Sequence, residues 1–219
     1  MRPLTDTVPK PLLAIQNKSL LAWHLEGLAK AGVKKVVINH AWLGHKIEAA
    51  LGNGSQFDLS IEYSPEETAL ETAGGIAKAL PILQTADYFL VINGDVFCPN
   101  LPINKILEQA TKLQERANPV LAHLLMVPNP SQHPDGDFYL KDNQVSDQNL
   151  TGSEKLTFSG IGIYHKDLFQ NIEIGSPAKL APLLRAAMAQ NKVSGEKYSG
   201  PWHDVGTPQR LKELNAAYE

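Results

Sequence analysis

A chain of 219 residues with 43% hydrophobic content is long enough for one sizeable core and needs no second domain to explain its length. A net charge of -3 at pH 7, with both signs interspersed, offers no footprint for a nucleic-acid backbone and no basic run for an anionic membrane surface, which leaves small molecules as the expected partners. The one cysteine, Cys98, excludes an internal disulfide and a cysteine-cluster metal site; it reads as a small buried apolar residue in a reducing compartment.

The chain opens on "MRPLTDTVPKPLL", where Lys10 stands between Pro9 and Pro11. "SLLAWHLEGLAKAG" (19–32) reads as a helix that begins on a capping Ser19 and stops at Gly32, followed by a strand in "GVKKVVINH". "LGHKIEAALG" has helical period, "FDLSIEYS" (57–64) alternates like a strand, "GGIAKALPIL" resumes helix, and "DYFLVINGD" (87–95) is a short apolar run ending in a turn. The second half holds a helix near 103–116 and then β segments in "PVLAHLLMV", in "DFYLKDNQV" with a turn at Asp142-Asn143, and in "KLTFSGIGIYH" (155–165). An amphipathic helix over 178–190, a polar strand or hairpin in "KVSGEKYSG", and a last helix in "TPQRLKELNAAYE" with Pro208 in its first turn complete the order. The expected fold class is therefore α/β: a doubly wound, mostly parallel Rossmann-like sheet with mixed strands in the second half, in one domain whose halves are 1–116 and 117–219.

No apolar run approaches the roughly 18 residues of a membrane span. Asp6 and Lys10 interrupt the place where the apolar core of a secretory signal would lie, so a cytoplasmic protein is expected. There is no Gly-x-Ser-x-Gly elbow, no Walker loop, and no His pair at i, i+4 spacing, although His203 merits attention because it precedes Asp204.

Four stretches carry possible chemistry. Asp95 follows an apolar strand and Gly94, so its carboxylate can face the crevice beyond a strand end; a Gly-Asp turn with no ligand is the plainer reading of that dipeptide alone. Asp204, in "GPWHDVGTPQRL", either serves the local turn before Thr207 or supplies the second carboxylate that a phosphate-bridging metal requires. Lys10 has a stiff backbone on both sides, which aims an ammonium at a fixed point unless it is simply a solvated loop lysine. In "ETAGGIAKAL" Thr72 and two glycines stand at a helix start, where backbone N–H groups can approach an anion or the polar edge of a base, and where a plain turn would also use them.

With "RPLTDTVPKPLL", "ETAGGI", "VINGDVF" and "WHDVGTPQRL" in this order, the chain resembles the sugar-1-phosphate nucleotidyltransferases from end to end. The resemblance implies a GT-A-like nucleotidyltransferase fold and the joining of a sugar 1-phosphate to a nucleoside triphosphate, with release of pyrophosphate. "NHAWLG", "LETAGGI", "GDFYL", "SGIGIY" and "LAPLLRAAMA" point within that family to UTP as donor and N-acetylmuramate 1-phosphate as acceptor, with glucose or mannose 1-phosphate as the alternative. It further implies Mg²⁺ held by Asp95 and Asp204, phosphates stabilised by Arg2 and Lys10, the uracil held by Thr72, Ala73, Gly74 and Gly75, and the sugar bordered by Gly136, Asp137, Ser159 and Gly160. Family members begin with an apolar strand and a Gly-rich loop ending in Gly-x-x-Arg-Met-Arg-Pro-Leu-Thr, and the first residue here aligns with the Met of that phrase. The segment before it, about a dozen residues in the family, would add a central strand and a phosphate cradle. The start is expected to be an internal Met of a longer protein; the alternatives are a short form that binds nucleotide sugars without turnover, and a sheet completed by another segment such as one from a second subunit, since unpaired strand edges favour self-association.

Overall fold

The computed structural model describes residues 1–83 and 87–218, so Glu219, the last residue of the expected terminal helix, lies outside the described residues. A first helical turn, α1 (Leu4–Thr7), leads to a short 3-10 turn over Lys10–Leu12, a two-stranded hairpin of β1 (Ala14–Ile15) and β2 (Lys18–Ser19), and helix α2 (Leu20–Lys30). There follow β3 (Lys35–His40), α3 (Gly44–Leu51), β4 (Ser60–Pro65), α4 (Glu71–Leu83), β5 (Tyr88–Ile92), β6 (Val96–Phe97) and α5 (Ile103–Gln114). The remainder is β7 (Ala122–Val127), β8 (Phe138–Lys141), β9 (Gln144–Ser146), β10 (Glu154–His165), α6 (Leu180–Met188), β11 (Val193–Lys197), β12 (His203–Asp204) and α7 (Pro208–Ala217). Among the described residues no helix is long and apolar enough to cross a membrane.

Local chemistry accounts for most of these limits. Ser19 caps α2 by accepting a hydrogen bond from the Ala22 amide at 3.2 Å, and Gly32 takes the left-handed φ of +82° that turns the chain away after it. Thr207 caps α7 in the same way through the Arg210 amide at 3.2 Å, with Pro208 at the first helical position, where its missing N–H has no intrahelical partner to lose. Asp142 and Asn143 both have positive φ, +48° and +62°, which is the backbone a tight hairpin needs between β8 and β9.

The main sheet has six strands in the order β5-β10-β7-β11-β9-β8, with β10 also pairing with β8. The α/β class is as expected from the sequence, and the strand directions are mixed: β5, β7, β8 and β11 run one way and β9 and β10 the other. The long antiparallel β10 lies between β5 and β7, so strands that share a direction are separated and the one parallel ladder in this sheet joins β7 to β11. The polar-looking segment over 193–197 is an inner strand rather than a surface hairpin, with Val193 and Gly195 buried. β3 and β4 pair in parallel as a separate two-stranded sheet.

All six residues of β7 are buried, because helices cover both faces of the sheet. Ala122, Leu124 and Met126 share a core with Ile76 of α4 and Leu184 and Met188 of α6, while Leu125 packs with Ile161, Ile163 and the α5 residues Ile106 and Leu113. The register of β10 against β7 shifts between Phe158 and Gly162, and Gly160 within this bulge has φ +77°. A β-carbon on Gly160 would fall 2.7 Å from the Asn93 side chain, so both conformation and space call for glycine here. Gly160→Ala is accordingly expected to lower unfolding stability by about 1–3 kcal/mol in urea titration; an unchanged midpoint would show that the bulge relaxes freely. Burial pushes the Cys98 thiol up to about 11, so a thiol reagent at pH 8 should label the chain only after denaturation, and rapid native labelling would contradict that packing.

Candidate active site

The apolar residues of β5 carry the chain to Asn93-Gly94-Asp95 at a strand end, and three contacts fix this turn. The Asn93 amide donates to the Gly160 carbonyl at 2.9 Å, which ties the turn to the bulge of β10. Gly94 lies against Pro11, whose Cγ would stand 3.2 Å from a β-carbon at that position, so the Lys10 segment packs directly on the turn. From α2, the buried His24 donates through Nε2 to the Val96 carbonyl at 2.8 Å. Burial holds the His24 imidazole below its ordinary pKa, against smaller opposing influences from that carbonyl and from Asp95, and so favours the neutral ring.

Asp204 reaches the same place from 109 residues further along the chain because β12 pairs antiparallel with β6, matching Asp204 to Val96 and His203 to Phe97. The Val205 amide donates to the Asp95 carbonyl at 3.1 Å and closes the junction. Lys10 then spans the two carboxylates: its ammonium is 2.6 Å from Asp95 Oδ2 and 3.9 Å from Asp204 Oδ1. The other oxygen of Asp204 is taken by Arg210 of α7, 3.0 Å away. Gly206 makes room for this contact, since a β-carbon there would lie 2.8 Å from the guanidinium and 3.1 Å from the carboxylate. Two carboxylates and two cations thus meet at one strand end, all partly exposed, with side-chain accessibilities between 27% and 39%.

This donor set fits a hard divalent cation. Lys10 already acts as a stand-in: one positive group reaches both carboxylates at once. Among the described residues no group of three or more His, Cys, Asp or Glu side chains converges. Two carboxylates alone suit Mg²⁺, which keeps waters and takes phosphate oxygens for its remaining positions, and would not suit a structural zinc.

The other expected site residues distribute unevenly. Gly136 and Asp137 connect to the bulge: Asp137 Oδ2 accepts from the Phe158 amide at 2.8 Å, next to Ser159 and Gly160. Ser159 is buried and accepts from the Ile161 amide through Oγ at 3.2 Å, while its carbonyl accepts from the Trp202 indole at 2.9 Å. Gly160 is thus hydrogen-bonded to Asn93 at the Asp95 turn, and Asp137 and Ser159 reach that turn through the same stretch of β10. Thr72 is exposed in the first turn of α4, but the Ala73 and Gly74 amides both donate to the Ala178 carbonyl, at 2.9 and 3.1 Å, and are not left for a ligand. Gly75 gives its space to the Asn39 and Glu66 side chains. Arg2 is 86% exposed in its side chain and pairs with Asp6 at 3.2 Å. His203 stacks on Phe97, and burial lowers its pKa. Arg210, His24 and Asn93 were not singled out from sequence; an Arg at the third position after a Thr-Pro helix start is the one visible signal among them, since it lies one turn from its capping residue.

Paired carboxylates bridged by a lysine beyond the end of a strand are the kind of arrangement that phosphate-handling α/β proteins of the nucleotide-transferring class use. The chain belongs to the nucleotidyl transferase family, whose pattern it matches over residues 1–134. It is 52% identical, over 99% of its own length and 92% of the relative's, to N-acetylmuramate alpha-1-phosphate uridylyltransferase of Neisseria meningitidis serogroup B. It is also 29% identical to the mannose-1-phosphate guanyltransferase of Hypocrea jecorina, over 95% of this chain but 58% of that longer protein. Among solved structures, UDP-glucose pyrophosphorylase complexed with UDP-glucose shares the fold with a TM-score of 0.72 at 18% identity, covering 100% of this chain and 93% of the other. A Bacillus anthracis protein assigned as a glucose-1-phosphate thymidylyltransferase gives a TM-score of 0.81 at 17% identity, covering 99% and 89%.

Because the Arg210–Asp204 pair is partly exposed, Arg210→Ala should cost no more than about 1 kcal/mol of unfolding stability. A loss of several kcal/mol in denaturant titration would show that the pair holds the fold together rather than orienting a carboxylate.

Proposed function

We propose that the chain is a uridylyltransferase that joins N-acetylmuramate 1-phosphate to UTP, giving UDP-N-acetylmuramate and pyrophosphate. The observation that carries this reading is the 52% identity to a relative of that name over 99% of the chain. Such a product would place the enzyme in cytoplasmic recycling of cell-wall sugars. Residues 1–116 would serve mainly the nucleotide, with Thr72 at the base, and residues 117–219 mainly the sugar.

The reaction forms a bond from a phosphate oxygen of the sugar 1-phosphate to the α-phosphorus of UTP. The bond from that phosphorus to the bridging oxygen breaks, and pyrophosphate leaves with the electron pair. The attacking monoester is largely a dianion near neutral pH, its second pKa being about 6, so no side chain has to remove a proton. What the protein must overcome is the repulsion between two anions and the cost of aligning them. Asp95 and Asp204 would hold Mg²⁺, which when bound neutralises phosphate charge and orients the triphosphate. Lys10, on a backbone stiffened by its two prolines, supplies a positive charge to the phosphates, and Arg2 would add a second. Arg210 keeps one oxygen of Asp204 engaged so that the other stays turned toward Asp95. Asp137, Ser159 and Gly160 would border the sugar.

The test is pyrophosphate release in the presence of Mg²⁺, comparing N-acetylmuramate, glucose and mannose 1-phosphates, each with UTP, dTTP and GTP. Preference for N-acetylmuramate 1-phosphate with UTP is expected; preference for mannose 1-phosphate with GTP would favour the guanyltransferase-like alternative. Asp95→Asn and Asp204→Asn should each keep the fold and lower turnover by about a hundredfold or more, because each removes charge from the metal-binding pair. Wild-type turnover in both would remove these residues from the metal role.

A further inference from the structure

We propose that Lys10 and the divalent cation are alternative occupants of the Asp95–Asp204 pair, so that metal entry ejects the Lys10 ammonium from Asp95 and releases it toward the phosphates. This rests on the metal-binding reading of the two aspartates given above.

The argument begins with space and charge. The Lys10 ammonium lies 2.6 Å from Asp95 Oδ2 and 3.9 Å from Asp204 Oδ1, which is the position between the carboxylates. A Mg²⁺ ion sits about 2.0–2.1 Å from each ligand oxygen. An ammonium and a divalent ion held on the same oxygens would be only a few ångströms apart, where like charges repel strongly among partly buried side chains. The two cannot share the site in this arrangement.

The two cations already present differ in how easily they can leave. Arg210 is fixed: it sits on α7, one turn after the capping Thr207, and its guanidinium lies in the space left by Gly206. Lys10 is held at its backbone, in the 3-10 turn that packs Pro11 on Gly94, and beyond that only by its ammonium contacts to the carboxylates at the end of a flexible four-carbon chain. Asp204 therefore keeps a permanent partner and Asp95 has an exchangeable one. The exchange also has a use, because without a metal the bare carboxylate pair would repel an incoming triphosphate. Lys10, together with Arg210, holds the pair neutral until the metal arrives, and the Lys10 charge is then available to the substrate.

Mn²⁺ binding without nucleotide, followed by electron paramagnetic resonance, tests this on the whole chain. Lys10→Met is expected to bind Mn²⁺ about two- to fivefold more tightly than wild type, the range that loss of a competing, partly exposed ion pair allows, even as its pyrophosphate release falls. In the wild type, labelling of Lys10 by an amine reagent, read by mass spectrometry, should rise when Mg²⁺ is added. Equal or weaker Mn²⁺ binding by Lys10→Met overturns the exchange, and so does tighter binding without increased labelling, since that pattern reflects removal of a repelling charge and no displacement. If Asp95→Asn binds Mn²⁺ as well as wild type, the metal reading itself fails and the exchange with it; binding that depends on Asp95 yet ignores Lys10 sinks only the exchange.

Discussion

Two ionised carboxylates held side by side at a strand end repel one another, and in this protein two cations brought from distant parts of the chain offset that repulsion. The short β6–β12 pairing sets the aspartates next to each other and so creates the problem. Lys10 and Arg210, one from the first residues and one from the last helix, resolve it from opposite sides. Four charges sum to zero. A divalent ion that replaced the ammonium would leave the pair of aspartates and Arg210 with a net positive charge, and Lys10 would add to it from a short distance. The site would then change from neutral to strongly attractive for a triphosphate as it loads.

A second layer of support comes from backbone rather than charge. The bulge in β10 presents the Gly160 carbonyl to the Asn93 amide, and the adjacent Phe158 amide to Asp137. One irregular stretch of one strand therefore aligns the carboxylate turn with the segment expected to border the sugar. Trp202, whose indole donates to the Ser159 carbonyl, joins the approach to Asp204 to that same stretch. One of these contacts, between Asn93 and Gly160, is made by backbone on both sides, whereas those of Asp137 and Trp202 depend on their side chains.

Much of this was legible in the sequence, for identifiable reasons. Ser19, Gly32, Thr207 and the Asp142-Asn143 turn announce themselves because capping and positive φ demand particular residue types. Asp95 and Asp204 could be named from their settings, and Lys10 from its two prolines. What could not be read was pairing between distant segments. The two-residue strands β6 and β12 are too short to show a period, so nothing in "VF" or "HD" reveals that they meet. The antiparallel β10 between strands of common direction was hidden for the same reason, since alternation reports burial and not direction. The backbone amides of Ala73 and Gly74 show a further limit: a glycine-containing helix start looks the same whether its N–H groups face a ligand or, as here, a carbonyl of the protein.

That carbonyl has a mechanical consequence. The oxygen of Ala178, just before α6, receives both the Ala73 and the Gly74 amides, and the Ala178 amide in turn donates to Leu70 at 2.9 Å. The start of α4 is thus latched on both sides of one residue to the segment that leads into α6. Any movement of the α4 start has to carry this segment with it or break three hydrogen bonds made by a single residue. The α4 start and the approach to α6 are therefore coupled, and a shift of one is transmitted directly to the other.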